Sequence, residues 1–483
     1  MARERMIVVA NRLPVRRMGA GDDARWEESP GGLVSAMRLV MRGVEGVWIG
    51  WTGAAGGAPS PFVHDTMHIH PVGLSRGEIE AYYHGMSNAT FWPLYHDAIR
   101  PPEFQRAWWD QYVKVNARFA QAAADEAKAG DLVWVHDYHL QLVPRMLRRL
   151  RPDVRIGFFL HIPFPPAELF EWLPWREQTL EGLLGADVVG FQTPQGAQNF
   201  ARLCCQHTQT TGTDTILQHE GREITVGAFP ISIDAGWFEH TAALPRVRAR
   251  ALDIRRRIGP GRRIILGVDR LDYTKGIDLR LRAFEQVLRS EGASAEDCLL
   301  MQVAVPSRET IKAYSDIRDS IEGLVGRING QFGVPGRAPV SYFRRNLSRE
   351  DLVAYYMAAD VMLVTPLRDG MNLVAKEYVA TRLDDSGVLV LSEFTGAARQ
   401  LRNALIVNPR DVDRTAEAIH RALTMPADEA RARMRSLRTA VRTSDVFAWA
   451  NGFVQQLHGE SVASVGGPVV SRGRRIEAEP AGA

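Results

Sequence analysis

Arg270 and Lys275 stand near the two ends of a loop, Arg270-Leu271-Asp272-Tyr273-Thr274-Lys275-Gly276, that follows an apolar run and closes on a glycine before a helix-like segment. Two cations at a strand–loop–helix junction are what a departing diphosphate needs, because they meet its charge as it grows. A second stretch, Thr365-Pro366-Leu367-Arg368-Asp369-Gly370-Met371-Asn372-Leu373, stands in the same place behind the run Val361–Val364. Pro366 ends the strand, Gly370 permits a tight turn, and Asn372 caps a helix that carries Glu377. Backbone N–H groups and the positive end of a helix then gather at one sheet edge, where anionic or hydroxyl-rich ligands bind. The plainer reading leaves Asp369 as a turn former and Glu377 as a surface carboxylate.

Similar residues follow the runs of the first half. The run 6–10 exits into Asn11-Arg12, and Gly31-Gly32 opens an amphipathic segment whose amides a phosphate can approach. Arg12 adds a guanidinium fork that matches phosphate. The run 132–135 exits into His136-Asp137-Tyr138-His139, and 156–160 into His161-Ile162-Pro163-Phe164-Pro165. In the second half, 299–305 exits into Pro306-Ser307-Arg308. The segment 83–93 is aromatic and polar with little periodicity, so Tyr83 and Trp92 either face a sugar ring or fill the core. There is no P-loop and no GxGxxG with a ribose-binding acid, and no Asp-x-Asp is read as a metal site. Neither an ATPase nor a nicotinamide enzyme is favoured; no cofactor and no metal site are expected, and cations rather than Mg²⁺ are expected to neutralise phosphates.

The elements that must position these groups are short apolar runs at 6–10, 132–135, 156–160, 188–191, 226–229, 264–268, 299–305, 361–364, 388–391 and 404–407. Amphipathic stretches between most of them, such as 144–150 and 278–288, read as helices. Such alternation predicts an α/β fold with parallel sheets covered on both faces. The 483 residues allow two to three domains. We expect a Rossmann-like first domain over 1–240, completed by a returning helix in 441–460, and a second over 241–440. The stretch 461–483 lacks periodicity and reads as a disordered tail. With 59 Lys and Arg against 56 Asp and Glu, the chain is nearly neutral, so nucleic acid is not an expected partner. No stretch approaches a membrane span or a signal peptide, and three cysteines without zinc spacing fit a reducing cytoplasm.

Taken in order, Asn11-Arg12, Gly31-Gly32-Leu33, Gly50-Trp51-Thr52-Gly53, Ser87-Asn88-Ala89 with Trp92-Pro93, His136 to Leu140, His161 to Pro165, Arg270 to Gly276 and Thr365 to Glu377 resemble the trehalose-6-phosphate synthase family. The resemblance runs from about residue 6 to about 457 and implies a retaining GT-B glycosyltransferase with two Rossmann-like domains facing across a cleft. It implies transfer of glucose from a nucleotide-diphosphate glucose, UDP-glucose before ADP- or GDP-glucose, to glucose 6-phosphate. By position it places Arg12, Tyr83, Trp92, Asp137 and Arg308 at the acceptor. It places Gly32, Arg270, Lys275, Arg349 and Glu377 at the donor nucleotide, with Glu377 on ribose. His161 and Asp369 contact the transferred glucose, and the amides of Gly370, Met371, Asn372 and Leu373 meet its hydroxyls or the diphosphate. A glycosidase-like pair would be Asp137 and Asp369, about 5–10 Å apart. The family's logic is instead front-face attack without an enzyme nucleophile, with domain closure and a homo-oligomer. Two alternatives are a related transferase acting on glycerol phosphate or a cyclitol, and a catalytically silent sugar-phosphate sensor.

Overall fold

Each of the ten apolar runs becomes a strand, and the strands assort into two sheets. The computed structural model describes residues 5–18, 25–28, 34, 37, 41, 46–290, 292–308 and 312–459. Gly32 and the stretch 461–483 lie outside the described residues. The chain divides after Ile231 and again after Val446, so one unit combines the residues up to Ile231 with those from Phe447, and the other is Ser232–Val446.

The first unit holds β1 (Met6–Arg12), β2 (Val15–Met18), β3 (Arg25–Glu28), β4 (Gly46–Ala55), β5 (Phe62–His64), β6 (Met67–Leu74), β7 (Leu132–His136), β8 (Arg155–Phe159), β9 (Val188–Phe191), β10 (Thr210–Gly212), β11 (Ile216–His219) and β12 (Arg222–Ala228). Apart from the β2–β3 hairpin, these form one sheet in the order β10-β11-β12-β9-β8-β7-β1-β4-β6-β5. The seven central strands are parallel, and antiparallel pairing is confined to the two edges. β1, β7 and β9 are buried along almost their whole length, which is why they read as continuous apolar runs.

The second unit holds β13 (Arg263–Arg270), β14 (Cys298–Val305), β15 (Val340–Phe343), β16 (Val361–Val364), β17 (Val388–Ser392) and β18 (Leu405–Val407), all parallel, in the order β15-β14-β13-β16-β17-β18. Leu281, Phe284 and Leu288 of the helix Ile277–Arg289 pack into its core with Ile265, Leu300 and Leu363. Both sheets start in the middle, build outward to one edge, then return and build to the other. That order creates a topological switch point beside the first strand, between β1 and β7 in one unit and between β13 and β16 in the other. In open α/β sheets, ligands bind at the carboxyl ends of the strands flanking that point.

Other elements were not legible as runs, β4, β6 and a helix after β6 among them. β4 and β6 mix glycine, histidine and proline with their apolar residues. The segment Ile79–Phe91 is a π-helix, whose i→i+5 bonding gives it a repeat other than 3.6, and this explains its missing periodicity. The last helix, Val446–His458, packs on β7, β8 and β9: the Phe453 ring lies parallel to Trp134 with centroids 4.4 Å apart. Gly157 and Gly190 make room for it, since a Cβ at either would stand 2.6 or 2.7 Å from the Phe453 ring.

Candidate active site

In the second unit the loop after β13 is organised by a residue to which the sequence reading gave no role. Asp272 is buried and caps the short 3-10 turn Tyr273–Lys275, its Oδ1 accepting from both the amide and the hydroxyl of Thr274 at 2.9 Å. Its Oδ2 accepts from the Tyr314 hydroxyl at 3.1 Å and lies 3.6 Å from Nη1 of Arg308, which itself donates to Tyr314 at 2.6 Å. Burial works to raise the Asp272 pKa, but Arg308, Arg270 and Lys275 together hold it below the usual carboxylate value. One ionised carboxylate thus gathers the three cations that follow β13 and β14.

Lys275 also pairs with the 365–377 stretch. Its Nζ donates to Oδ2 of Asp369 at 2.6 Å, and Nδ2 of Asn372 donates to the same oxygen at 3.2 Å. Three cations (Arg270, Lys275, Arg308) against two carboxylates (Asp272, Asp369) leave one net positive charge, which suits an anion. The loop is pinned from both sides. Leu367 N–H donates to the Thr274 carbonyl at 2.7 Å, and Ala397 N–H to the Met371 carbonyl at 2.9 Å. Asn372 sits at φ +77° and caps the helix Leu373–Thr381, its side-chain oxygen accepting from Ala375 N–H at 3.2 Å. Gly370, Met371, Asn372 and Leu373 therefore hold one fixed turn beside Asp369. Beneath it, fully buried Arg280 donates to Thr365 Oγ1 at 2.9 Å, to Gln302 Oε1 at 2.8 Å and to Asp269.

Glu377 is half-buried and accepts from the Tyr356 hydroxyl at 2.8 Å. Burial raises its pKa, while Tyr356 and the charge of Arg349 oppose the rise. Arg349 lies 3.9 Å above the Trp237 ring. Next to Glu377, burial pushes Lys376 down to about 7. The unfolded chain then keeps that proton up to the ordinary lysine range, while the folded protein releases it near 7. Stability from this group therefore rises with pH across that window, and the full cost of the buried ammonium is present below it. Lys376→Met is expected to be more stable than the wild type at pH 7, by on the order of a few kcal/mol, with no such slope between pH 7 and 10. Urea denaturation at both pH values checks this; a variant whose stability follows the same pH slope as the wild type would refute it.

In the first unit, Arg12 leaves β1 exposed, its guanidinium 4.3 Å from the Trp51 ring and 5.7 Å from Tyr83. Tyr83 lies nearly parallel to His139, 5.9 Å away. Trp92 is buried, 5.7 Å from Tyr138. Asp137, at the end of β7, has φ +75° and ψ 168°, a region almost closed to residues other than glycine. Its Oδ1 accepts from His161 N–H at 3.2 Å, joining the exits of β7 and β8. Burial lowers His161 to about 3 and puts His136 well below its ordinary value, so both imidazoles are neutral at pH 7.

Most of the described residues singled out in the sequence thus lie at strand exits, while Glu377 lies on the helix behind β16, Arg349 opens the helix behind β15, and Tyr83 and Trp92 lie on the π-helix and its continuation behind β6. Arg12, Tyr83, Trp92, Asp137 and His161 lie in the first unit; Arg270, Lys275, Arg308, Arg349, Asp369 and Glu377 lie in the second. Arg12 and Arg308, both assigned to one phosphate, are therefore in different units. Asp272 and His136 stood in recognised motifs without a role. Tyr314 and Tyr356 sit inside helices and carry no local signal.

The profile of Glycosyltransferase family 20 matches residues 4–459. The chain belongs to glycosyltransferase family 20. It is 52% identical over 465 residues to the trehalose-6-phosphate synthase of Mycolicibacterium smegmatis, covering 93% of this chain and 92% of that protein. Among solved structures, it is similar to the UDP-forming α,α-trehalose-phosphate synthase of Burkholderia vietnamiensis, with TM-score 0.88, 37% identity, and 94% and 97% of the two chains covered. It is also similar to the enzyme of Burkholderia xenovorans in complex with glucose 6-phosphate, with TM-score 0.87, 35% identity, and 94% and 100% covered. This member of glycosyltransferase family 20 is a transferase of GT-B fold, and its two α/β units are the two Rossmann-like halves.

Proposed function

We propose that the chain transfers glucose from UDP-glucose to glucose 6-phosphate with retention, giving α,α-trehalose 6-phosphate and UDP. The observation that carries this reading is the group Arg270, Lys275 and Arg308 around Asp272, beside the Asp369 turn at the switch point of the second unit. In this reading Arg270 and Lys275 stabilise the departing diphosphate oxygen, which takes the proton of the attacking hydroxyl on the same face of the sugar. Asp369, held by Lys275 and Asn372, anchors glucose hydroxyls, as do the amides of 370–373. Glu377 accepts from ribose. Arg12 and Arg308 bind the acceptor phosphate, and Tyr83, Trp92 and Asp137 shape the acceptor site. The cations supply the neutralisation that a metal supplies elsewhere. We place the reaction in a reducing cytoplasm, consistent with three free thiols.

The test is incubation with glucose 6-phosphate and UDP-, ADP- or GDP-glucose in turn, following nucleotide release and product linkage. UDP release that requires glucose 6-phosphate and yields the phosphorylated α,α-disaccharide is expected. Equal release with glycerol phosphate or a cyclitol overturns the acceptor, and binding without release overturns the enzyme. Arg12→Ala is expected to raise the KM for glucose 6-phosphate about 10–100-fold, the worth of a lost charge-assisted contact to phosphate. The KM for UDP-glucose should change far less, and an equal change in both would remove Arg12 from the acceptor phosphate.

A further inference from the structure

His161 is half-buried, and its Nε2 stands 3.1 Å from Nδ1 of His136, whose side chain is fully buried at the end of β7. Both rings are neutral, so one proton lies between the two nitrogens. Its owner is decided on the far side of the pair. His136 Nε2 is buried and has no hydrogen-bond partner among the described residues, where the rings against His136 belong to Trp134 and His161. If His161 owned the shared proton, His136 would have to carry its own on Nε2, an N–H buried without an acceptor. If His136 owns it, Nε2 is only a bare lone pair, which burial penalises less than an orphaned N–H. The second arrangement leaves His161 with its hydrogen on Nδ1.

We propose that His136 is a positioning residue that donates from Nδ1 to His161 Nε2 and so locks His161 in the Nδ1–H tautomer, making His161 a hydrogen-bond donor to an oxygen of the bound sugar. The tautomer follows from the pair alone; its use on a sugar oxygen rests on the transferase reading above. The surroundings hold the pair in place. His161 N–H is tied to Asp137, and its ring packs on Phe159 at 4.7 Å and Trp449 at 6.3 Å. The returning helix thus backs the ring that the strand exit presents. A donor at this point polarises an acceptor-only oxygen or orders a hydroxyl in one direction, whereas the other tautomer could only accept.

Neutron diffraction from deuterated crystals of the full chain reads the tautomer directly. A deuteron on Nδ1 of His136 and another on Nδ1 of His161 is the expected result. A deuteron on Nε2 of His161, with or without one on Nδ1, overturns the proposal. Kinetics then separate positioning from folding. His136→Asn keeps a short-range N–H donor and is expected to stay within about threefold of wild-type kcat/KM for the nucleotide sugar. His136→Leu is expected to lose about tenfold, the worth of one hydrogen bond. In a His161→Gln background, His136→Leu should add no further loss, because the two act as a unit. A His136→Leu loss that persists in that background, or full activity in His136→Leu, overturns the positioning role. Failure of the transferase reading would show instead as absent nucleotide release with the tautomers as expected.

Discussion

Replacing either Arg270 or Lys275 with alanine is expected to lower turnover about 10²-fold or more, with the loss in kcat rather than in the KM of the nucleotide sugar. The diphosphate gains its charge during bond cleavage, so a cation aimed at it is worth most in the transition state. Lys275 has a second duty: its Nζ donates to Asp369 at 2.6 Å, and its loss takes that hydrogen bond and its charge from the carboxylate to which Asn372 also donates. The Lys275 variant should therefore fall further than the Arg270 variant. Steady-state nucleotide release measures both. Near-normal turnover in either one would sink the leaving-group assignment, and a loss confined to KM would reassign the pair to ground-state binding.

Arg280→Leu is expected to destabilise the protein by about 3–5 kcal/mol, because it strands the Asp269 carboxylate in the core. The side chains of Arg280 and Asp269 are 0% and 3% exposed, and the guanidinium joins β13, β14 and the exit of β16 through Asp269, Gln302 and Thr365. Replacing both partners with leucine should recover most of the loss, since an apolar pair of similar volume needs no compensation. Urea denaturation decides: a single variant within about 1 kcal/mol of wild type would show that water reaches the site and that the network adds little. Activity of the double variant is a separate measure, because Thr365 would still lose the bond that fixes the start of the 365–377 turn.

The parts of this site that were legible in the sequence are those written locally. A strand buried on both faces must be a continuous apolar run, so β13 and β16 announce themselves and the residues that follow them are exposed to inspection. Asn372 as a cap, and Arg270 and Lys275 as a cationic loop, belong to that class. Partners supplied from elsewhere in the chain were not legible. Tyr314 reaches Asp272 from 42 residues away, and Arg280 reaches Thr365 from 85. Asp272 itself reads as a loop carboxylate until three cations converge on it. His136 reads as the last residue of a strand until His161 is seen beside it. Tyr83 and Trp92 stayed ambiguous because a π-helix has neither of the periods a reader tests for; Trp92 proves buried, while Tyr83 stacks beside Arg12.

The returning helix has a consequence for how this protein is made. A ribosome that has released Ile231 has delivered every strand of the ten-stranded sheet, yet the trough over Gly157 and Gly190 stays open until Phe453 emerges, after the whole second unit. At common elongation rates that delay is on the order of ten to forty seconds. Through that interval Trp134 and Phe159 offer an uncovered aromatic surface, the kind that chaperones hold and that neighbouring nascent chains adhere to. A chain that stops short of residue 447 never covers it, so truncation here yields a sticky half-protein rather than a free-standing first domain.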